Sequence, residues 1–147
     1  MKTAQAMNYK PNFYGLGPTT DKRVGLLAGE AGEGFITAYW AFHPESNNSG
    51  PEFYRELCDK NNVPAKMRGL YHYYGFATAV VLVEGLKRAG KNLNRKRFIN
   101  ALENLKNWES GVFPPITYSR NDHAGVESVM LLQLQSGKQV EISDWLN

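Results

Sequence analysis

The segment that most constrains the fold is YHYYGFATAVVLVEGLKRAG, at residues 71–90. Its apolar side chains cover nearly the whole circumference at a period of 3.6 residues, which predicts a helix buried between other layers. Lys87 and Arg88 lie in the last turn, where the helix dipole favours positive charge, and Gly90 follows as a left-handed stop. We therefore expect the rest of the chain to pack around this helix.

The first turn of this helix concentrates polar aromatic groups. Tyr71, His72, Tyr73 and Tyr74 bring three phenols and an imidazole beside backbone N–H groups that have no partner within the helix. Such a turn can bind a ligand. The simpler interpretation is that Tyr74 and Phe76 are core aromatics, and that Tyr71 and His72 cap the helix or lie at the surface. Both interpretations stay open on these residues alone.

Composition excludes several classes of protein. The length of 147 residues, with 42% hydrophobic and 21% charged residues, is typical of one folded globular domain. The best apolar run, residues 76–83, is far shorter than the ~20 residues that span a bilayer, so no transmembrane helix is expected. The pI is near 9.0, but the basic residues are scattered. Their densest cluster, residues 94–97, opens a predicted amphipathic helix, and no nucleic-acid partner is expected.

No metal or cofactor site is expected from the sequence. Cys58 is the only cysteine, which excludes an intrachain disulfide and a cysteine-based zinc site, and its apolar neighbours predict a core position. His43, His72 and His123 lie in separate segments without metal-binding spacing, and the glycines form no nucleotide-binding fingerprint. No apolar segment follows Lys2, so we expect no signal peptide and a chain that begins in mid-protein.

The remaining patterns predict an α/β chain with a β carboxyl terminus. The run GFITAYWAF, at residues 34–42, has few polar positions and is expected to be a central strand. Residues 135–138, QSGK, predict a hairpin turn between the last two strands. Further helices are expected at residues 3–8, 21–30, 51–61 after a Ser49 cap and 95–108 after an Asn94 cap, and further strands at residues 11–17, 116–119, 129–134 and 139–142.

The order and spacing of these segments resemble a known family. The segments FYGLG, AGEAGEGFITAYW, the long apolar helix, NRKRFINALENLKN, ITYSRNDHAG and a hairpin ending in SDWL are similar to the carboxy-terminal part of type I periplasmic binding proteins. The resemblance is to the branched-chain amino-acid group, including members that bind aromatic or other small carboxylates. In that family two α/β lobes, joined by three hinge strands, close on a small ligand that an ABC-type membrane permease then accepts.

The resemblance implies a partial type I periplasmic-binding-protein fold, with parallel-sheet α/β lobes and a carboxy-terminal β-hairpin. Residues 1–147 would be the carboxy-terminal fragment of a two-lobe solute-binding protein. Within it, residues 1–41 would end the second lobe, 42–115 would supply first-lobe helices, and 116–147 would be the returning strands. The intact parent would lie in the periplasm or elsewhere outside the cytoplasm, bind a small-molecule ligand, have a permease as partner, and carry out no catalysis.

The resemblance also implies site residues. Tyr71 falls on the aromatic position that covers the ligand side chain, with Tyr74 and His72 beside it. Gly17 falls where amino-acid binders place the carboxylate that pairs with the ligand ammonium. A buried ammonium without a partner costs several kcal/mol, so we expect a neutral or anionic ligand, such as an aromatic carboxylate. Thr19 is a candidate hydroxyl donor, with capping of the next helix as its alternative.

Two other functions fit the residues. One is a ligand-sensing regulatory protein of the same fold, and the other is a small oligomeric α/β enzyme that uses His72 or His123. A fragment that leaves one lobe and returns to it would also expose strand edges and the apolar flank of residues 71–90. We therefore expect the fragment to self-associate.

Overall fold

The computed structural model describes residues 1–147, which form two compact units. Unit 1 comprises Met1–Trp40 and Ser128–Asn147, and unit 2 comprises Ala41–Glu127. The assignment of the chain to lobes of a longer protein remains a prediction. The helices are α1 (Lys2–Ala6), α2 (Lys22–Ala28), α3 (Ser49–Lys60), α4 (Leu70–Ala89) and α5 (Arg95–Glu103), and the strands are β1 (Tyr14–Gly15), β2 (Ile36–Tyr39), β3 (Met130–Gln135) and β4 (Lys138–Glu141).

Unit 1 is built on a four-stranded mixed sheet in the order β1-β2-β3-β4. The β1–β2 pair is parallel, and the other two pairs are antiparallel. The strand predicted at residues 34–42 is therefore central, as expected, although β2 itself is shorter. The predicted hairpin is also confirmed: Ser136 and Gly137 have φ angles of 50° and 77°, which match the left-handed conformations of a two-residue hairpin turn.

The two faces of this sheet differ in burial. Thr37, Tyr39, Leu132 and Leu134 alternate along β2 and β3 and are almost fully buried. Gly25 of α2 lies against Leu134, because a Cβ there would come within 2.9 Å of the leucine side chain. The pairing register places a second row of mostly apolar side chains on the opposite face, which is partly exposed: Tyr14, Ile36, Gln133 and Val140.

Unit 2 contains α3, α4 and α5. The predicted central helix is present with nearly the expected bounds, but the prediction that it is buried all round is wrong. Its buried residues are Leu70, Tyr73, Ala77 and Gly85, whereas Leu82, Val83 and Leu86 are 39–49% exposed. The reason is that α4 has only two neighbouring helices: α3 packs on its amino-terminal half, through aromatic contacts such as Tyr54–Tyr73, and α5 packs on it around Gly85. The flank between these contacts stays open.

Several local predictions are corrected by the structure. Residues 116–119 do not form a strand, because Ile116 makes only an isolated bridge with Trp108. That bridge needs the chain to turn back, so α5 ends at Glu103 instead of residue 108. The α3 helix begins two residues earlier than predicted, and the predicted Ser49 cap is wrong: Asn48 is the N-cap and Ser49 the first helical residue. The predicted Asn94 cap and the predicted core position of Cys58 are confirmed.

Two glycines in unit 2 allow a matched test of this packing. Gly50 of α3 is buried, and a Cβ there would overlap the backbone carbonyl group of Gly111. Gly75 of α4 has open space around its Cβ position. We expect Gly50→Ala to lower the free energy of unfolding by about 1–3 kcal/mol through overpacking. Gly75→Ala should raise it by about 0.5–1 kcal/mol through helix propensity.

Urea denaturation of the two variants and the wild type measures both effects. Equal effects of the two substitutions would show that the contact between Gly50 and Gly111 does not constrain unit 2.

Candidate functional site

The first group of candidate site residues lies in unit 1 at one edge of the sheet. β1 is followed by Leu16 and a short 3-10 turn, Gly17–Thr20, and β2 is followed directly by Trp40. Because β1 and β2 are parallel, their carboxyl ends meet at the same edge. Ligands of open α/β sheets bind outside this edge. Gly17, a predicted site residue, lies at this edge of the sheet.

Gly17 packs against an aromatic ring that sequence analysis did not single out. A Cβ at this position would overlap the six-membered ring of Trp40. Trp40 is 37% exposed, and its ring stacks on Tyr39 at a centroid distance of 6.2 Å. The position implied for a ligand-binding carboxylate thus has no room for a side chain. The sequence signal that could have identified this contact is Trp40 itself, an aromatic residue near the carboxyl end of the predicted central strand at residues 34–42.

The threonine hydroxyls near Gly17 are engaged in the turn itself. Thr19 Oγ1 donates to the Leu16 carbonyl oxygen at 2.6 Å, and Thr20 Oγ1 donates to that of Gly17 at 2.5 Å. The hydroxyl of Thr19 therefore has its proton in use and offers a ligand its lone pairs. The alternative, that a threonine caps the next helix, is wrong, because Asp21 is the N-cap of α2 and accepts from the Arg23 N–H at 3.0 Å.

The second group of candidate residues lies in unit 2 on the first turn of α4. Tyr71 is 59% exposed, and its ring makes an edge-on contact with the ring of Tyr74 at a centroid distance of 6.4 Å. Neither Tyr71 nor His72 caps the helix, because the N-cap is Gly69 and no side chain caps it. The fully buried aromatic is Tyr73, whereas Tyr74 is partly exposed. The turn therefore presents Tyr71 to its surroundings.

His72 has a structural partner. Its Nδ1 lies 2.9 Å from the hydroxyl oxygen of Tyr54, a buried residue of α3. Burial, followed by the neighbouring Cys58 thiol, raises the pKa of Tyr54 above its ordinary value. The phenol therefore keeps its proton and can donate to Nδ1. This geometry makes His72 the partner of a buried hydroxyl group and leaves only Nε2 for a ligand.

The other two histidines also pair locally within unit 2. His43 Nδ1 accepts a hydrogen bond from the Glu45 N–H at 3.3 Å. His123 Nε2 lies 3.2 Å from Glu103 Oε1. No group of three or more His, Cys, Asp or Glu side chains converges in the structure. None of the helices is both long enough and apolar enough to cross a membrane.

The amino-acid sequence matches a family model described as periplasmic binding protein over residues 1–139. The chain belongs to the periplasmic binding protein family. Comparison with curated proteins gives no significant match.

Solved structures support the same fold. A branched-chain amino acid ABC transporter from Thermus thermophilus with bound valine has a TM-score of 0.88 and 21% identity, and the match covers 99% of this chain and 42% of that one. A leucine-binding protein from Thermotoga maritima has a TM-score of 0.72 and 17% identity, and the match covers 99% of this chain and 40% of that one. A fatty acid ABC transporter substrate-binding protein from Thermomonospora curvata has a TM-score of 0.75 and 21% identity, and the match covers 99% of this chain and 39% of that one. The expected α/β fold is confirmed, and the chain spans about two-fifths of these structures.

Because His43 is partly buried, we expect the free energy of unfolding to depend on pH. Burial lowers its pKa from the ordinary value of 6.5, and the nearby Glu45 carboxylate only partly opposes this. The unfolded chain therefore binds a proton at higher pH than the folded chain, so stability is present above pH 6.5 and is lost as the pH falls below it. His43→Asn keeps an acceptor and removes the titrating group. We expect it to reduce the loss of unfolding free energy between neutral and acidic pH.

Chemical denaturation of both proteins across this pH range measures the difference. An identical pH dependence for the wild type and His43→Asn would contradict the prediction.

Proposed function

We propose that the protein to which this chain belongs is the substrate-binding component of an ABC-type importer, and that it binds a small solute by cleft closure. The family match over residues 1–139 supports this proposal, as do the resemblances to ABC transporter binding proteins. The proposal places the intact protein outside the cytoplasm, with a membrane permease as its partner. No specific observation favours the sensor or the enzyme alternative.

The observation that carries the ligand class is the contact between Gly17 and Trp40. An α-amino acid needs a carboxylate for its ammonium group, because an unpaired buried ammonium costs several kcal/mol. Position 17 supplies no carboxylate, and the Trp40 ring occupies the space that a side chain would need. The ring offers an apolar surface instead. We propose a neutral or anionic solute with an apolar or aromatic body that contacts Trp40. Tyr71 is proposed separately as a ligand contact of the intact protein.

The neighbouring groups fit supporting roles in this proposal. Tyr74 holds the ring of Tyr71 by the edge-on contact, and Thr19 offers hydroxyl lone pairs. His72 has Nε2 for a ligand, while its Nδ1 stays with Tyr54. These contacts are local and need no metal ion or cofactor.

Calorimetric binding of benzoate and leucine to the protein that contains this chain tests the ligand class. We expect benzoate to bind more tightly than leucine. Trp40→Ala should weaken benzoate binding about tenfold, because it removes an aromatic contact worth about 1 kcal/mol. Tyr14→Ala is the matched control, since it also removes an aromatic ring, and Tyr14 is 71% exposed on the partly exposed face of the sheet. Tighter binding of leucine, or an equal loss in the control, would refute the proposed ligand class.

We also propose that the chain on its own self-associates through unit 2. The α3–α4 flank is defined here by Phe53 and Leu57 of α3 with Phe76, Val80 and Val83 of α4. The rings of Phe53 and Phe76 lie 5.9 Å apart, and Phe53 is 53% exposed. Leu57 lies four positions after Phe53 on α3, and Val80 and Val83 lie four and seven positions after Phe76 on α4. Residues at these spacings lie on the same face of a helix. Contiguous apolar surface of this kind favours association.

Light-scattering mass of the purified chain tests this. We expect a species larger than 16.6 kDa that shifts towards the monomer in Phe53→Asp/Val83→Asp. The control is Leu26→Asp/Leu27→Asp, which changes two exposed leucines of unit 1 and should leave the mass unchanged. A monomeric wild-type chain would rule out the proposal.

A further inference from the structure

Three neighbouring cavities of about 670, 430 and 350 Å³ lie around α5 in unit 2 and are together called here the α5 groove. The first two share Arg95, Ile99 and Glu103, and the last two share Leu102 and Tyr118. Neither these shared residues nor the rest of the lining includes Tyr71, His72 or Tyr74. Cavities of this size are typical of sites for small molecules.

One cavity of the α5 groove is lined by three cationic side chains and one carboxylate, that of Glu103. Arg95, Lys96 and Arg120 line it, all are exposed, and none makes a hydrogen bond or an ion pair. Arg95 and Lys96 also lie in the first turn of α5, which contains no acidic residue. Positive charge in a first turn is disfavoured by the helix dipole. This arrangement therefore gains nothing from its own helix and is suited to an anion.

The only carboxylate that lines the groove is already engaged. Glu103 Oε1 lies 3.2 Å from His123 Nε2, and its side chain is 18% exposed, against 65% for the histidine. The carboxylate therefore faces a partner that can donate a proton or carry a positive charge. Glu103 also lines the cavity that holds Arg95 and Arg120, but it forms no ion pair with either of them.

The opposite end of the groove is apolar. Phe98 and Leu102 of α5 form one wall, and Leu82 of α4 together with Phe113 forms another. Tyr118 separates this end from the middle, and Gly125 lies so close that a Cβ would come within 2.7 Å of the Tyr118 ring. Because residue 125 is a glycine, the backbone at this position can pack directly against the Tyr118 ring. The groove changes from charged to apolar along its length.

We propose that the α5 groove is a second ligand site that binds a small amphipathic carboxylate. Its anionic group pairs with Arg95 and Arg120, and its hydrocarbon part lies along Ile99, Leu102 and Tyr118. The charge selects an anion, and the apolar walls select a chain or ring over a simple ion. A neutral apolar molecule would leave the arginines unpaired, and a short anion would leave the apolar walls exposed to water.

Calorimetric titration of the chain with octanoate, octanol and acetate tests the site. Octanoate should bind about tenfold more tightly than either of the others, since only it satisfies both ends of the groove. Arg95→Gln/Arg120→Gln should weaken octanoate binding about tenfold and leave octanol unaffected. The matched control, Lys87→Gln/Lys91→Gln, removes the same charge outside the groove and should retain octanoate binding.

Octanoate also fits the ligand class proposed for Trp40, so Trp40→Ala separates the two sites: it should retain the octanoate binding that Arg95→Gln/Arg120→Gln weakens. Loss of octanoate binding in Trp40→Ala would assign the octanoate to the Trp40 site and overturn the proposal. Equal affinity for octanoate and octanol, an equal loss in the lysine control, or no measurable octanoate binding would also overturn it.

Discussion

The candidate site in unit 1 depends on one short interaction, the parallel pairing of β1 with β2. The pairing contains only two registered pairs, Tyr14 with Ile36 and Gly15 with Thr37. Gly15 is required there, because a Cβ would overlap the side chains of Thr19 and Phe35. The close approach brings both strands to one edge and sets the turn after β1 against the residue after β2. Without this parallel pair, Gly17 would not meet the indole ring.

The same dependence on neighbours explains what the sequence could predict. The bounds of α4 follow from local signals, namely an apolar run and a glycine stop, and they are nearly correct. Its burial is not a local property. The apolar run predicts a helix surrounded by other layers, whereas unit 2 provides only α3 and α5, so Val83 and Leu86 remain exposed. A sequence pattern reports what a helix can bury, and the neighbouring elements decide how much of it is buried.

Contacts between distant residues account for most of the site that sequence analysis missed. Trp40 lies 23 positions after Gly17, and no spacing rule links a glycine turn to a tryptophan that follows another strand. His72 is a candidate ligand residue because it lies on the first turn of α4, but its partner Tyr54 is 18 positions away on α3. The strand expected at residues 116–119 has the alternating pattern of a strand, yet only Ile116 forms a β-bridge, and the bridge is an isolated one. Alternation predicts an extended chain, and pairing needs a second strand in the right place.

Unit 1 is assembled from the two ends of the chain, with all of unit 2 between them. β2 leaves the ribosome before unit 2, but the strand that covers its second edge, β3, is made only after unit 2 has been synthesised. At typical synthesis rates this interval is roughly 5–20 seconds, far longer than a helix or hairpin needs to form. Unit 2 therefore has time to fold first, while the edge of the apolar strand β2 that later pairs with β3 is still unpaired. In a living cell, the speed of translation and the protection of that nascent strand would limit the yield of folded protein.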